Sequence, residues 1–146
     1  SGAPVLDLFV TLLEMGATGW QKLLEKRRTL APQLKTAIAE VAEAHSCRLL
    51  ETPRNTISFA MEVSSALGCE PSDVTALGSM LFTRGVSGAR VCVPGTTKEI
   101  TGTNFESWGT HEDRPQMPYM TFACAMGMQE EEIQALAERL GKTIRE

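Results

Sequence analysis

Residues 77–90 read LGSMLFTRGVSGAR, and within this stretch a helix gives way to a strand. Apolar side chains recur at helical spacing from Val74 to Phe82, and 89–93 has the composition of a strand. Gly85 follows the last helical position, which is where a glycine commonly ends a helix. A short turn between a helix and a strand indicates a fold in which helices are layered on a sheet.

Outward from that turn, the pattern predicts further helices and strands. A first helix ends at Gly16, and a second runs from about Thr18 to about Ala44, where Pro32 predicts a kink or break near Leu30 or Ala31. A final helix covers 129–145. Strands are predicted at 47–50, 57–63, 89–93 and 119–126, with 98–101 as a hairpin partner of 89–93 and 102–118 as a polar loop. The predicted fold class is α/β (α+β-like), a small sheet flanked by helices and preceded by two long helices.

The first predicted helix is unusually rich in apolar residues. Leu6, Phe9, Leu12 and Leu13 recur too densely for a helix that buries only one face. We expect this segment to be buried on more than one face, against another domain or a neighbouring subunit.

Composition limits the class of protein. The 146 residues carry 42% apolar and 22% charged side chains and a formal net charge of −4. These values are typical of one globular domain, and no apolar run reaches the ~20 residues of a membrane span. The acidic balance excludes a protein that binds polyanions through net charge, so a nucleic-acid contact requires a local basic feature. The four cysteines have no metal-ligand spacing and indicate the reduced thiols of a cytosolic protein.

The turn after the third predicted helix is the best candidate for a binding site. Arg84 and Arg90 flank it, its glycines allow successive N–H groups to converge on an anion, and an arginine fork matches phosphates and base edges. An alternative stays open, in which Arg84 complements the helix dipole and Gly85 only ends the helix. No lysine or histidine has the context of a catalytic group, so the pattern identifies no catalytic, cofactor-binding or metal-binding residue in this chain.

Several segments together resemble the O-phosphoseryl-tRNA(Sec) selenium transferase family, the selenocysteine synthase of archaea and eukaryotes. The segments that carry the resemblance are 1–16, 20–24, 51–58, 77–90 and 123–128. The main departures are Gly85, where the family pattern has Gln, and 62–72, which differs in sequence.

The resemblance implies the C-terminal portion of a fold-type I transferase that depends on pyridoxal 5'-phosphate (PLP). Residues 1–46 are then a helical segment connecting to a large PLP domain, and 47–146 are the C-terminal small α/β domain. The Schiff-base lysine is expected upstream, so this chain alone is expected to be inactive. The whole enzyme is expected to be a cytoplasmic homotetramer, without membrane contact, that converts O-phosphoseryl-tRNA(Sec) to selenocysteinyl-tRNA(Sec) with selenophosphate.

One functional position carries over by the resemblance. Arg84 matches a family arginine that reads the discriminator base at the acceptor end of selenocysteine tRNA, and Thr83 is a weaker candidate for tRNA contact. Two other hypotheses stay open. The chain could belong to another fold-type I PLP enzyme that acts on a small amino acid, with Arg84 holding a carboxylate, or it could be a non-catalytic interaction module.

Overall fold

Three helices cover one face of a four-stranded antiparallel sheet in the computed structural model, which describes residues 2–64, 71–112, 114 and 116–145. The helices are α1 (Ala3–Ala44), α2 (Pro71–Thr83) and α3 (Glu130–Arg145). The strands are β1 (Arg48–Leu50), β2 (Ser58–Glu62), β3 (Arg90–Cys92), β4 (Lys98–Ile100), β5 (Thr103–Phe105) and β6 (Tyr119–Ala123). Strands β1, β2, β6 and β3 form the sheet in that order, which confirms the predicted fold class.

Period-two alternation decides which strand residues meet the helices. On the two central strands Met61 lies opposite Met120, and both are fully buried against the helices. The second half of α1 adds Leu34 and Ile38 to the same core. Each such side chain contributes about 1.5–3 kcal/mol on burial. The core therefore joins α1 to the sheet, and the division between 1–46 and 47–146 stays a prediction.

The opposite face of the sheet is covered by the loop that precedes β6. Tyr119 and Cys92 are buried there. The Tyr119 hydroxyl oxygen accepts a hydrogen bond of 2.7 Å from the His111 backbone N–H, and the Cys92 thiol donates to the Gly109 carbonyl at 3.2 Å. Burial raises the pKa of the Cys92 thiol and of the Tyr119 phenol. A raised thiol pKa keeps Cys92 protonated and unreactive at neutral pH, because the thiolate is the reactive form.

The N-terminal helices agree with the prediction at Gly16 and differ from it before Pro32. Two helices meet within α1 at a kink, where Gly16 has the non-helical angles φ 58° and ψ −178°. The predicted break near Leu30 or Ala31 is absent, since Gly16 is the one residue within α1 with non-helical angles. Proline itself prefers a helical φ, and the burial of Leu30 and Leu34 on both sides stabilises the continuation.

The start of α1 is exposed within this chain. Leu6, Phe9 and Leu13 have 60%, 58% and 67% of their surface accessible, so the predicted burial on several faces does not come from the described residues of this chain. An apolar surface of this kind marks an interaction site.

The predicted hairpin partner of β3 is wrong. Strand β4 pairs with β5 in a separate two-stranded sheet, whereas β3 pairs with β6. The β4–β5 connection is Thr101-Gly102 with φ of 49° and 78°, a type I′ turn whose twist suits a two-residue hairpin. The predicted loop 102–118 therefore begins with a strand.

Candidate nucleic-acid interface

The turn that carries Arg84 is a complete helix-terminating motif. Gly85 has φ 77°, its N–H donates to the Phe82 carbonyl at 2.9 Å, and the Val86 N–H donates to the Leu81 carbonyl at 2.9 Å. This pair of bonds is the Schellman arrangement, which requires a left-handed residue after the helix. Leu81 is fully buried and Val86 packs against the same core. The turn is therefore stabilised by its own hydrogen bonds and by packing, as the sequence predicts for Gly85.

Both predicted tRNA-contact residues lie on this helix end and share one carbonyl. The half-buried Arg84 donates from Nη1 to the Met80 carbonyl at 3.2 Å, and the exposed Thr83 hydroxyl donates to the same oxygen at 2.8 Å. The Arg84 backbone N–H also donates to that oxygen at 3.2 Å. Arg84 thus complements the helix dipole, which is the alternative that the pattern left open.

The shared carbonyl also determines what happens when Arg84 turns toward a ligand. Met80 O keeps the Thr83 hydroxyl and the Arg84 backbone N–H as donors if the guanidinium turns away. A buried acceptor that loses its only donor costs about 1–3 kcal/mol, and that cost does not arise here. The Met80 carbonyl therefore does not oppose a ligand contact by the Arg84 guanidinium.

The two arginines that flank the turn in sequence are not partners in space. Val91 of β3 packs against Gly78 of α2, so by strand alternation Arg90 faces the opposite side of the sheet. The Arg90 guanidinium lies against Gly109 there. The arginine that contacts the turn is instead Arg139 of α3, whose Nη1 donates a hydrogen bond to the Gly85 carbonyl at 3.2 Å.

A groove runs beside the turn, between it and α3. Its volume is about 520 Å³, and its lining includes 85–89 together with apolar side chains of β6 and α3. Arg139 lines the groove on the side of the turn, and Glu131 and Glu132 add negative charge in the first turn of α3. The groove is therefore amphipathic, with its cation beside the backbone that carries Arg84.

The glycine at position 85 has a structural reason. A Cβ built there lies 3.3 Å from Arg139 Nη1, and the backbone has a positive φ. A side chain at this position requires both a strained backbone and a small displacement of the guanidinium. The glycine at position 85 is therefore matched to the position of Arg139.

The five lysines of the chain are all exposed, in α1, β4 and α3. A Schiff-base lysine, by contrast, lies in a desolvated pocket that lowers its pKa. Within the described ranges, no three His, Cys, Asp or Glu side chains are grouped to bind a metal ion. In the same part of the chain, every helix is too short or too polar to cross a bilayer.

The fold and site together define a small α/β unit with an arginine at a capped helix end, beside an amphipathic groove. Comparison with known proteins identifies the family. The model of the family described as O-phosphoseryl-tRNA(Sec) selenium transferase, SepSecS, matches residues 1–145, and the chain belongs to this family.

The relatives are longer proteins. An O-phosphoseryl-tRNA(Sec) selenium transferase of Dictyostelium discoideum is 34% identical over an alignment 157 residues long, gaps included. The alignment covers 97% of this chain and 33% of that protein. One from Caenorhabditis elegans is 32% identical over 141 residues, covering 96% of this chain and 29% of that protein. The chain thus spans about a third of the length of these relatives.

A solved structure has the same fold. The crystal structure of an archaeal O-phosphoseryl-tRNA(Sec) selenium transferase superposes with a TM-score of 0.76 at 20% identity, over 97% of this chain and 29% of that one. The fold predicted from the resemblance is confirmed.

No local sequence pattern marks Arg139 as a site residue. It lies 54 positions beyond the turn that it contacts. Its place on an exposed face of an amphipathic helix is typical of a solvated arginine. Only the packing of α3 beside α2 shows the contact.

Proposed function

We propose that this chain is the C-terminal, tRNA-facing part of a PLP-dependent enzyme that converts O-phosphoseryl-tRNA(Sec) to selenocysteinyl-tRNA(Sec) with selenophosphate. The observation that carries the proposal is the family match over residues 1–145. The activity belongs to the longer protein, since the chain spans about a third of its relatives. The exposed lysines support a Schiff-base lysine outside this chain, and the chain alone is then inactive.

The exposed start of α1 supports the proposed contact with a large domain. Residues 1–46 connect to the large PLP domain in this proposal, and 47–146 form the small domain. Val5, Leu6 and Phe9 are 73%, 60% and 58% exposed, an apolar surface that a large domain or a neighbouring subunit of a homotetramer would cover. The reduced, buried thiols of Cys92 and Cys124 suit a cytoplasmic enzyme.

Arg84 is the proposed reader of the discriminator base. A guanidinium fork donates two hydrogen bonds to the acceptors on a guanine edge, and such a contact discriminates against a wrong base by about 1–3 kcal/mol. The capped turn supports this role because it fixes the backbone from which the side chain extends. Thr83 contributes by keeping the Met80 carbonyl hydrogen-bonded when the Arg84 guanidinium turns to the base.

The test is conversion of phosphoseryl-tRNA by the full-length protein with PLP and selenophosphate. We expect selenocysteinyl-tRNA with the intact protein and a reduced rate with Arg84→Ala. The control variant is Arg54→Ala, which removes an exposed arginine from a turn elsewhere and should leave the rate unchanged.

The alternatives give different results. An enzyme for a small amino acid would act on the free amino acid and ignore tRNA. An interaction module would show neither activity and no absorbance from a PLP Schiff base.

A further inference from the structure

We propose that Arg139 is a positioning residue for Arg84. Its guanidinium holds the Gly85 carbonyl and thereby fixes the turn from which Arg84 reads the discriminator base. The inference rests on the proposed function of Arg84 and assigns a role to a residue on a different helix. In this proposal Arg139 sets the position of the turn, and Arg84 alone contacts the base.

The hydrogen bond from Arg139 joins the packed helix α3 to Gly85, the residue of the turn with the left-handed backbone. Arg139 precedes Leu140, which is fully buried, so α3 presents the guanidinium from a packed helix. The acceptor is the carbonyl of Gly85, beyond the last helical residue of α2, and the Nη1 to O distance is 3.2 Å. Glycine has the widest range of backbone angles, so a bond from outside restricts it more than any other residue.

The fit between the two residues is specific. With glycine at 85 the guanidinium approaches the backbone closely, and a Cβ there would lie 3.3 Å from Nη1. A hydrogen bond from a charged donor is stronger than one between neutral groups, which suits Arg139 to the task. The neighbouring Lys142 of α3 instead pairs with Glu138 at 2.6 Å. Arg139 is therefore distinguished from the other cation on this part of α3 by its contact with the turn.

Charge supports the same arrangement. The C-terminal end of α2 carries a partial negative charge, which disfavours an approaching polyanion. Arg84 donates to the Met80 carbonyl and Arg139 to the Gly85 carbonyl, so two guanidinium groups neutralise this end. When Arg84 turns to the base, Arg139 stays on the turn and keeps its carbonyl hydrogen-bonded.

The experiment measures base preference in the full-length protein, as the ratio of Kd values for selenocysteine tRNA with a substituted and with the natural discriminator base at one salt concentration. The variants are Arg139→Ala, Arg139→Lys, Arg84→Ala and the double variant, with Lys142→Ala as the matched control. We expect Arg139→Ala to reduce the preference about 3- to 10-fold, as for residues coupled through one network. Arg139→Lys should restore part of the preference, because lysine still donates a hydrogen bond, and Lys142→Ala should leave it unchanged.

The pattern across variants separates the two proposals. Removal of the preference by Arg84→Ala, with no further effect of Arg139→Ala in the double variant, supports positioning through Arg84. If Arg84→Ala removes the preference and Arg139→Ala retains it, only the positioning role is overturned. If Arg139→Ala weakens the binding of both tRNAs equally and lowers the salt dependence of Kd, Arg139 contacts a phosphate, and the positioning role is also overturned. If Arg84→Ala itself has no effect, both proposals fail.

Discussion

Replacement of Gly85 with alanine tests the left-handed backbone geometry of the turn that carries Arg84. Gly85 has φ 77°, a conformation in which an L-residue costs about 1–2 kcal/mol. The added Cβ would lie 3.3 Å from Arg139 Nη1, so the guanidinium must shift and its bond to the Gly85 carbonyl weakens. A hydrogen bond contributes about 0.5–1.5 kcal/mol net. The expected loss of unfolding free energy is therefore about 1.5–3.5 kcal/mol.

Gly88 provides the matched control in the same turn. Its φ lies outside the left-handed region, and a Cβ built there meets nothing within 4 Å. Gly88→Ala should therefore be neutral or stabilise the fold by about 0.4–1 kcal/mol, because alanine reduces the entropy of the unfolded chain.

The assay is urea unfolding of the three proteins followed by far-UV circular dichroism, with free energies from the linear extrapolation. A loss confined to Gly85→Ala supports the described turn. Equal stability of Gly85→Ala and the parent would refute the left-handed geometry at position 85, and an equal loss in both variants would contradict a strain specific to that position.

Three further predictions concern the rest of the fold. Burial raises the pKa values of Cys92, Cys124 and Tyr119, so the unfolded state ionises first above about pH 9 and loses protons that the folded state keeps. These three groups should then leave stability unchanged below that pH and lower it above that pH, and a urea midpoint that rises from about pH 8 to about pH 10.5 would contradict their burial. Met120→Ala, at a fully buried position on a central strand, should cost about 2–5 kcal/mol in urea unfolding; a cost below about 1 kcal/mol would place Met120 outside the core. Leu13→Ser should change the unfolding free energy of this chain by less than about 0.5 kcal/mol, because Leu13 is 67% exposed, yet it should reduce association on size-exclusion chromatography. The reverse pattern would mean that Leu13 belongs to the core of this chain.

Local rules predicted most of the elements because local interactions decide them. The end of α2 follows from one glycine, and the final helix follows from its apolar spacing and its acidic first turn, where the Gln129 N–H donates to Glu132 at 2.7 Å. Strands β2 and β6 alternate as expected and lie side by side at the centre of the sheet. The pairing of β4 is harder to predict than the strands themselves, because Thr101-Gly102 gives a weaker turn signal than Pro94-Gly95.

The site was predictable only in part for a related reason. Arg84 is predictable as a candidate site residue because it lies at a helix end with Gly85 and Gly88 within a few residues of it. The contact of Arg139 with the turn, and the groove beside it, depend on how α3 packs against α2. Contacts between distant parts of a chain produce no regular residue spacing in the sequence from which they could be predicted. The separation of Arg84 from Arg90 likewise follows from strand alternation, which directs Arg90 to the opposite face.

The most direct measurement of the tRNA-reading role is the binding of selenocysteine tRNA to the full-length protein, at one fixed salt concentration, with the natural and with a substituted discriminator base. We predict that the intact protein prefers the natural base by about 5- to 150-fold, the equivalent of about 1–3 kcal/mol, and that Arg84→Ala removes this preference. Unchanged affinity and unchanged base preference in Arg84→Ala would contradict the role. Arg84 would then be a cation that stabilises the end of α2, and an enzyme for a small amino acid would become the better hypothesis.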